Sequence, residues 1–386
     1  MKKLHVMFLL NLVVVVALAA CAGSTPTTAP TQAAGGATEA AGGTATEAAP
    51  TEEAATEVAQ PPQQGDNVLN IYNWSTYIAP EMIPAFEKKY GVKVNYDLFG
   101  SNDELLAKIQ PGNPGYDIIV PTGYMVEIMI KQDLLEKLDK SKLSNFNNID
   151  KKFLDPPFDP GNQYCVPYQW GTVGLGYNVN KTGKELDSFD VMFNGEYSGR
   201  IAWQDEERIT MAAALLYLGY DPNTIKPEEI TAAKDLLIKT KKDVKAFAPD
   251  TGQDLLVQGD VDIAYEYSGD IFQVQADHPE MHYVIPKEGA VIWTDNLCIP
   301  TGAPHADMAH KFIDFILDAQ NGATLSNYTA YGTPNAASLP MITKDLLDNP
   351  GIYPPPEVMK KLSFTRSLGE VDALYDEAWT ELGVGQ

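Results

Sequence analysis

Two hydrophobic periodicities alternate along the first half of the chain. Apolar residues at every second position predict strands, and apolar residues every three to four positions predict helices. The second predicted helix opens with a capping box, Ser101 with Glu104. In chain order, the predicted strands and helices are VLNIYNW (strand), PEMIPAFEKKYG (helix, ending at Gly91), VKVNYDLFG (strand), SNDELLAKI (helix), YDIIVPT (strand) and GYMVEIMIKQDLLEKL (helix). This alternation favours an α/β fold with mostly parallel sheets and helices on both faces.

The alternation restarts in the second half, after a long extended run, QYCVPYQWGTVGLGYNVN. The glycines of this run are consistent with a crossing between lobes. Strand and helix patterns then return in RIAWQD, EERITMAAALLYLGY, KPEEITAAKDLLIKTKKDVKAF, DVDIAYEYSGD, HYVIPKEGAVIWTDNLCIP and HADMAHKFIDFILDAQNGATLSNYTAYG. The segment from Asp66 to Gln386 is long for one core and short for three, so two lobes are predicted.

The N-terminus reads as an export signal followed by a tether. Two lysines, an apolar core and small residues precede Cys21, and the sequence LAAC resembles a bacterial lipobox. We therefore interpret residues 1–20 as a lipoprotein signal peptide, Cys21 as the lipidated residue and 21–65 as a disordered Ala/Thr/Pro/Glu tether. The alternative is an uncleaved anchor helix. Either way, the protein is expected to work outside the cytoplasm, attached to the cell membrane.

The formal net charge is −24 in 386 residues. Nucleic acid and anionic membrane surfaces would repel such a chain, so neither is an expected partner, whereas a cationic ligand is favoured. A solvated acidic surface that serves solubility alone is the alternative.

Cysteine and histidine leave two questions open. Beyond Cys21, only Cys165 and Cys298 remain, and they either form a disulfide or stay as two buried thiols. His278 and His282 in HPEMH have metal-like spacing, but Pro279 and the polar surroundings favour a solvated loop, and no metal site is predicted.

Motifs of enzymes are missing from the sequence. It contains no G-x-S-x-G, H-E-x-x-H or G-x-x-x-x-G-K segment, so catalysis is not expected. A glycosidase pair among the many carboxylates stays open.

The segment VIWTDNLCIP carries the most suggestive chemistry. Trp293 and Asp295 stand two positions apart in a strand-like run, so they share one face. The carboxylate is either a hydrogen-bonded core group or part of a receptor for an organic cation.

Six segments in the same order resemble the spermidine/putrescine-binding receptors of bacterial polyamine ABC importers: YNWSTY, SNDELLAKI, YDIIVPTGY, FDPGNQYCVPYQWG, PKEGAVIWTDNLCIP and AYGTPNAA. The resemblance covers Val68 to Gln386. It implies a two-lobe periplasmic-binding-protein fold, type II-like, with a two-strand hinge. Lobe one is expected over 66–171 plus 296–339, and lobe two over 172–295 plus 340–386. It also implies a monomeric, non-catalytic receptor that needs no cofactor and delivers its ligand to an ABC permease.

The resemblance also implies which residues line the ligand cleft. A polyamine needs carboxylates at its ammonium groups and aromatic walls along its methylenes. The residues carried over from the family motifs are Trp74, Tyr77, Tyr124, Trp293, Asp295 and Tyr331.

Departures from the spermidine-type pattern concern lobe two. Glu206 matches the first member of an acidic pair, but Ile209 stands at the second. Tyr267 replaces a tryptophan, Thr365 replaces a glutamine, and Asp270 offers a carboxylate that takes up the charge. The ligand is thus expected to be putrescine, a differently spaced polyamine or another small organic cation. An extracytoplasmic hydrolase and an adhesive lipoprotein are the other classes left open.

Overall fold

The structure, a computed structural model, describes residues 67–383. The predicted signal peptide, Cys21 and the whole predicted tether lie outside the described residues. The strands are β1 Val68–Asn73, β2 Lys93–Leu98, β3 Ile118–Ile119, β4 Cys165–Asn178, β5 Ile201–Gln204, β6 Val244–Ala248, β7 Ile263–Tyr267, β8 Met281–Val284, β9 Ala290–Cys298 and β10 Leu362–Ser363. No helix of the described part combines the length and apolarity that crossing a membrane requires.

The helices alternate with these strands along the chain. They are α1 Met82–Tyr90, α2 Asn102–Ile109, α3 Gly123–Lys131, α4 Val179–Thr182, α5 Asp190–Phe193, α6 Glu207–Tyr217, α7 Pro227–Thr240, α8 Gly252–Gln258, α9 Ser268–Gln275, α10 Ala306–Ile316, α11 Ala319–Thr329, α12 Lys344–Leu347, α13 Pro356–Met359 and α14 Asp372–Leu382. The mixture of strands and helices confirms the α/β class.

The strands join in the order β2-β1-β3-β9-β4-β7-β5-β6, with β10 on β9 and β8 on β4. The first group, β2-β1-β3, is parallel, and so is the group β7-β5-β6. We call the halves built on these two groups lobe one and lobe two. The long strands β4 and β9 run antiparallel to each other between the two groups and form the two-strand hinge expected from the sequence.

A disulfide closes one end of the hinge. Cys165 of β4 and Cys298 of β9 are paired in register, with their Cα atoms 4.6 Å apart, and their sulfurs are bonded. Cys298 also pairs with Ile119 of β3, so the disulfide lies where the hinge enters lobe one. Of the two alternatives left open by the sequence, the structure shows the disulfide.

The predicted element boundaries hold for some helices and fail for one. Helix α1 ends at Gly91, whose φ of 67° is the left-handed conformation that glycine adopts without strain. The Ser101 hydroxyl accepts the Glu104 N–H at 3.1 Å, as the capping box predicts. The helix predicted over GYMVEIMIKQDLLEKL is wrong beyond Lys131, because Asp133 has a φ of 56°. The following leucines serve the core without a helix: Leu135 is buried, and its backbone pairs with that of Pro300.

Candidate functional site

A small cavity lies between the lobes, beside the middle of the hinge. Its volume is about 20 Å³, enough for about one water molecule. The predicted binding residues line it with one exception, Tyr124. The full lining is Trp74, Ser75, Tyr77, Thr122, Glu206, Ile209, Asp250, Tyr267, Asp270, Trp293, Asp295 and Tyr331. We call this cavity and its lining the acidic cleft.

Strand ends explain why these residues meet. In open α/β sheets, ligands bind beyond the carboxyl ends of parallel strands. In lobe one, β1 is followed by Trp74 and Ser75, and β3 is followed by Thr122. In lobe two, β5, β6 and β7 are followed by the three carboxylates of Glu206, Asp250 and Asp270. The carboxyl ends of the two parallel groups therefore face each other across the cleft.

Aromatic rings form the walls of the acidic cleft. Tyr331 has its ring centroid 5.2 Å from that of Tyr77 and 5.1 Å from that of Trp293. Trp293 is in turn 5.9 Å from Tyr267. Gly171 of β4 makes room for the indole, because a Cβ there would come within 2.7 Å of Trp293. This close approach is a physical reason for a glycine within the hinge strand.

Asp295 is the carboxylate that the hinge itself supplies. It shares a face of β9 with Trp293, and both side chains line the cleft, as the alternation in VIWTDNLCIP predicts. Only 5% of Asp295 is exposed. Its Oδ1 accepts a hydrogen bond from the Thr122 hydroxyl at 2.7 Å, which leaves capacity for a further donor.

Asp270 of lobe two accepts hydroxyl hydrogen bonds from two residues of lobe one. The Tyr331 hydroxyl donates to Oδ2 at 2.6 Å, and the Thr76 hydroxyl of lobe one donates to Oδ1 at 2.6 Å. Thr76 has a φ of 48°, a left-handed conformation that is strained for a β-branched residue. The strain coincides with the point where lobe one reaches the carboxylate of lobe two.

Glu206 is held by donors on both sides of the cleft. Tyr267 donates its hydroxyl hydrogen to Oε2 at 2.9 Å, whereas Tyr124 and Asn102 of lobe one donate to Oε1 at 3.0 and 3.2 Å. Tyr124 is not among the residues that line the acidic cleft, but it contacts the cleft carboxylate of Glu206 through this hydrogen bond. Glu206 itself precedes α6 as its N-cap residue, and Ile209 lies on the first turn of that helix, facing the same cavity.

Asp250 was missed by the sequence reading. It follows β6 in a loop and is 4% exposed. Its Oδ2 accepts the hydroxyl of Ser75 at 2.6 Å and the Ser75 N–H at 3.1 Å, which again joins the two lobes. The sequence feature that could have indicated Asp250 is its position between the end of the parallel strand β6 and the start of helix α8 at Gly252.

Asp250 and Asp270 belong to a buried group of three carboxylates. The third, Glu266, accepts hydrogen bonds from the Gly252 and Tyr267 N–H groups and from Gln204. One oxygen of each carboxylate lies within 4.8 Å of one oxygen of each of the others, so this is the group of described residues best placed to hold a cation. His278 and His282, in contrast, each face a separate glutamate on the surface.

Burial makes several of these acids hard to ionise. It raises the pKa of Asp295 to about 7 and that of Asp270 to about 6. The hydrogen bonds from Thr122 to Asp295 and from Thr76 to Asp270 lower these pKa values and so offset part of the rise. Burial also raises the pKa of Glu206 and Asp250. Glu266 rises to a pKa of about 8 for the same reason, with repulsion from Asp270 adding to it. A cation that enters the cleft would therefore displace protons as it pairs with the carboxylates.

The raised pKa values predict that the ligand-free protein loses stability between about pH 5.5 and 8. Glu207, buried at the start of α6 and facing Asp376, has a pKa of about 8, against about 4 in an unfolded chain. The folded state then binds more protons than the unfolded state in this window, so the free energy of unfolding falls as pH rises. Denaturant titrations should therefore give a free energy of unfolding that is at least about 1 kcal/mol lower near pH 8 than near pH 5.5.

Two glutamine variants check the cause. Glu207→Gln should make the loss smaller, and Glu357→Gln, at an exposed position, should leave it unchanged. Equal or greater stability near pH 8 in the parent protein would contradict the raised pKa values.

The fold and the cleft together define a two-lobe extracytoplasmic solute-binding protein. The model of the family described as bacterial extracellular solute-binding protein matches residues 81–352. The chain belongs to this family. The relatives of Pseudomonas aeruginosa and Streptococcus pneumoniae described below are named for binding or transport and not for a reaction, which confirms the expectation that the protein is not an enzyme and works outside the cytoplasm.

Three relatives cover most of the chain. The putrescine-binding periplasmic protein of Pseudomonas aeruginosa is 36% identical over 353 residues, 86% of this chain and 96% of the relative. The solved substrate-binding protein of the spermidine/putrescine ABC transporter of Streptococcus pneumoniae superposes with a TM-score of 0.69 at 32% identity, covering 82% of this chain and 98% of the other. A solved lipoprotein of Treponema pallidum reaches a TM-score of 0.72 at 29% identity, over 82% and 99% of the two chains.

Proposed function

We propose that the protein is the substrate-binding component of an ABC importer for polyamines. It binds a putrescine- or spermidine-like polyamine in the acidic cleft, closes on it and presents the closed form to a permease. The proposal agrees with the names of the relatives in Pseudomonas aeruginosa and Streptococcus pneumoniae. We also propose that the protein acts as a monomer, because all residues that line the acidic cleft come from one chain.

The observation that carries the proposal is the composition of the cleft. Four carboxylates and five aromatic rings line one cavity, and no lysine or arginine is among its lining residues. Buried carboxylates without basic partners call for a cationic ligand. The rings supply faces for cation–π contacts and for the apolar carbons between the charges.

Binding requires the lobes to separate first. A cavity of about 20 Å³ cannot admit a diamine. Five hydroxyl or amide groups of lobe one also donate hydrogen bonds to carboxylates of lobe two, namely those of Ser75, Thr76, Asn102, Tyr124 and Tyr331. The ammonium groups of a ligand would replace these cross-lobe donors. We propose that the two lobes move as rigid bodies about β4 and β9. Lobe one comprises 66–171 plus 296–339, and lobe two comprises 172–295 plus 340–386.

A thermal-shift panel tests the function. Putrescine and spermidine should raise the melting temperature, because a ligand at 100 times its dissociation constant adds about 2.7 kcal/mol of stability. The diol of the same length as putrescine is the matched control, since it lacks only the charges, and should cause no shift. A panel in which polyamines have no effect but another organic cation stabilises the protein would assign the cleft to that cation and refute the polyamine proposal.

We further propose that Cys21 carries the lipid that anchors the protein to the membrane. The LAAC segment and the following tether support this, as does the existence of a lipoprotein among the relatives. Cys21→Ser should move the protein from the membrane fraction to the soluble fraction or the medium, since the anchor depends on the thioether. A variant that stays in the membrane fraction like the parent protein would show that another segment holds it there.

Ile209 is proposed to set the choice between polyamines. It is 3% exposed and lines the cleft beside Glu206, where it offers an apolar contact in place of a second charge. Ile209→Glu should shift preference from putrescine toward spermidine by about 1 to 2 kcal/mol, the size of a charge-assisted contact. Ile209→Gln has the same bulk without the charge and should not shift it. An unchanged affinity ratio in a folded glutamate variant would refute this role.

A further inference from the structure

A second, larger cavity adjoins the acidic cleft. Its volume is about 700 Å³, within the range of small-molecule sites. Thr122 and Trp293 line both this cavity and the cleft, so the two spaces meet at these side chains. We call it the side cavity. A ligand whose charged part occupies the cleft would have space for a further group next to Trp293.

The wall of the side cavity has a different chemistry from that of the cleft. Its charged side chains carry both signs, and none of them is buried: Glu127, Lys152, Asp155, Asp221 and Arg366. Most of the remaining wall is apolar, including Leu154, Pro156, Phe158, Leu216, Ile292 and Phe364. An ammonium group would find no buried counter-charge here, whereas a neutral apolar group would be removed from water.

Trp293, which lies between the acidic cleft and the side cavity, has a buried N–H group that needs a hydrogen-bond acceptor. Its indole Nε1 is buried and has no hydrogen-bond partner within the described part of the chain. An indole N–H can only donate. The ammonium groups of an unmodified polyamine are donors too and cannot satisfy it, but a carbonyl oxygen can.

We propose that the preferred ligand is an N-acylated polyamine, held with its ammonium groups in the acidic cleft and its acyl group in the side cavity. Its amide oxygen accepts the hydrogen bond of Trp293 Nε1. This inference rests on the proposed function and specifies the substrate class of the same site.

The test compares putrescine with spermidine that carries a hexanoyl group on its aminopropyl nitrogen. Both compounds have two ammonium groups at the same spacing, so they differ in the acylated extension alone. By calorimetry, the acylated compound should bind at least about tenfold more tightly, because its alkyl chain leaves water. Equal or weaker binding of the acylated compound overturns the inference while putrescine binding still supports the proposed function.

A pair of variants locates the acyl group. Phe364 is 48% exposed in the wall of the side cavity, so Phe364→Ala should leave the fold intact. It should weaken binding of the acylated compound at least about fivefold and change putrescine binding by less than about twofold. Tyr328→Ala, at a ring that is 45% exposed and lines neither cavity, is the control and should change neither. An equal effect of Phe364→Ala on both ligands overturns the assignment, and a failure of both ligands to bind the parent protein overturns the proposed function with it.

Discussion

Asp295→Asn should weaken putrescine binding by about 2 to 5 kcal/mol, because a desolvated ammonium group would lose its buried counter-charge. The side chain is 5% exposed, accepts a hydrogen bond from the Thr122 hydroxyl and lines the acidic cleft, so its negative charge is available to the ligand. Calorimetry of the variant with putrescine and spermidine measures the loss. Unchanged affinity for both would remove Asp295 from the binding site.

The stability of the same variant separates binding from folding. Burial raises the pKa of Asp295 to about 7, so ionising it costs free energy in the folded protein near pH 8. The ligand-free asparagine variant should therefore melt no lower than the parent protein at this pH. Asp345→Asn, at an exposed position outside the cleft, is the control for affinity and should bind putrescine like the parent. A marked loss of stability in Asp295→Asn would favour a structural role instead.

Loss of the Cys165–Cys298 disulfide should lower the free energy of unfolding by about 3 to 5 kcal/mol. The two cysteines are 133 positions apart, and cross-linking a loop of this length restricts the unfolded chain strongly. The double variant Cys165→Ser with Cys298→Ser, compared with the parent in denaturant titrations, measures the effect.

Reductant provides the control for the disulfide. It should destabilise the parent to a similar extent and leave the double serine variant unaffected. A thiol assay that finds Cys165 and Cys298 free in the oxidised parent, or equal stability of the two proteins, would contradict the bond.

Local periodicity was enough to predict the alternation of strands and helices, and the extended run with glycines predicted β4 as a crossing strand. It was not enough for the end of α3. The leucines after Lys131 continue an apolar pattern, but Leu135 pairs with Pro300, which is distant in sequence. The disulfide was equally undetermined, since only the register of β4 against β9 brings the two sulfurs together.

Site residues could be predicted from the sequence where they lie close together in one segment. Trp293 and Asp295 share a face of one strand, so alternation alone placed them together. Asp250 has no such local companion, and its meeting with Ser75 depends on how the carboxyl ends of β1 and β6 face each other. Tyr124 stays a prediction, because it does not line the acidic cleft but its hydroxyl donates to Glu206, a carboxylate of that cleft.

The most direct test of the account is a calorimetric titration of the purified protein with putrescine near pH 8 and near pH 5.5. We expect saturable binding of one putrescine per chain, with a weaker affinity at the lower pH. We also expect release of protons on binding, because carboxylates with raised pKa values must ionise to hold the ammonium groups. Proton release is read from the dependence of the binding heat on the ionisation enthalpy of the buffer. No saturable binding of putrescine or spermidine at either pH, or binding of the uncharged diol with equal affinity, would contradict the claim that the acidic cleft is a polyamine site.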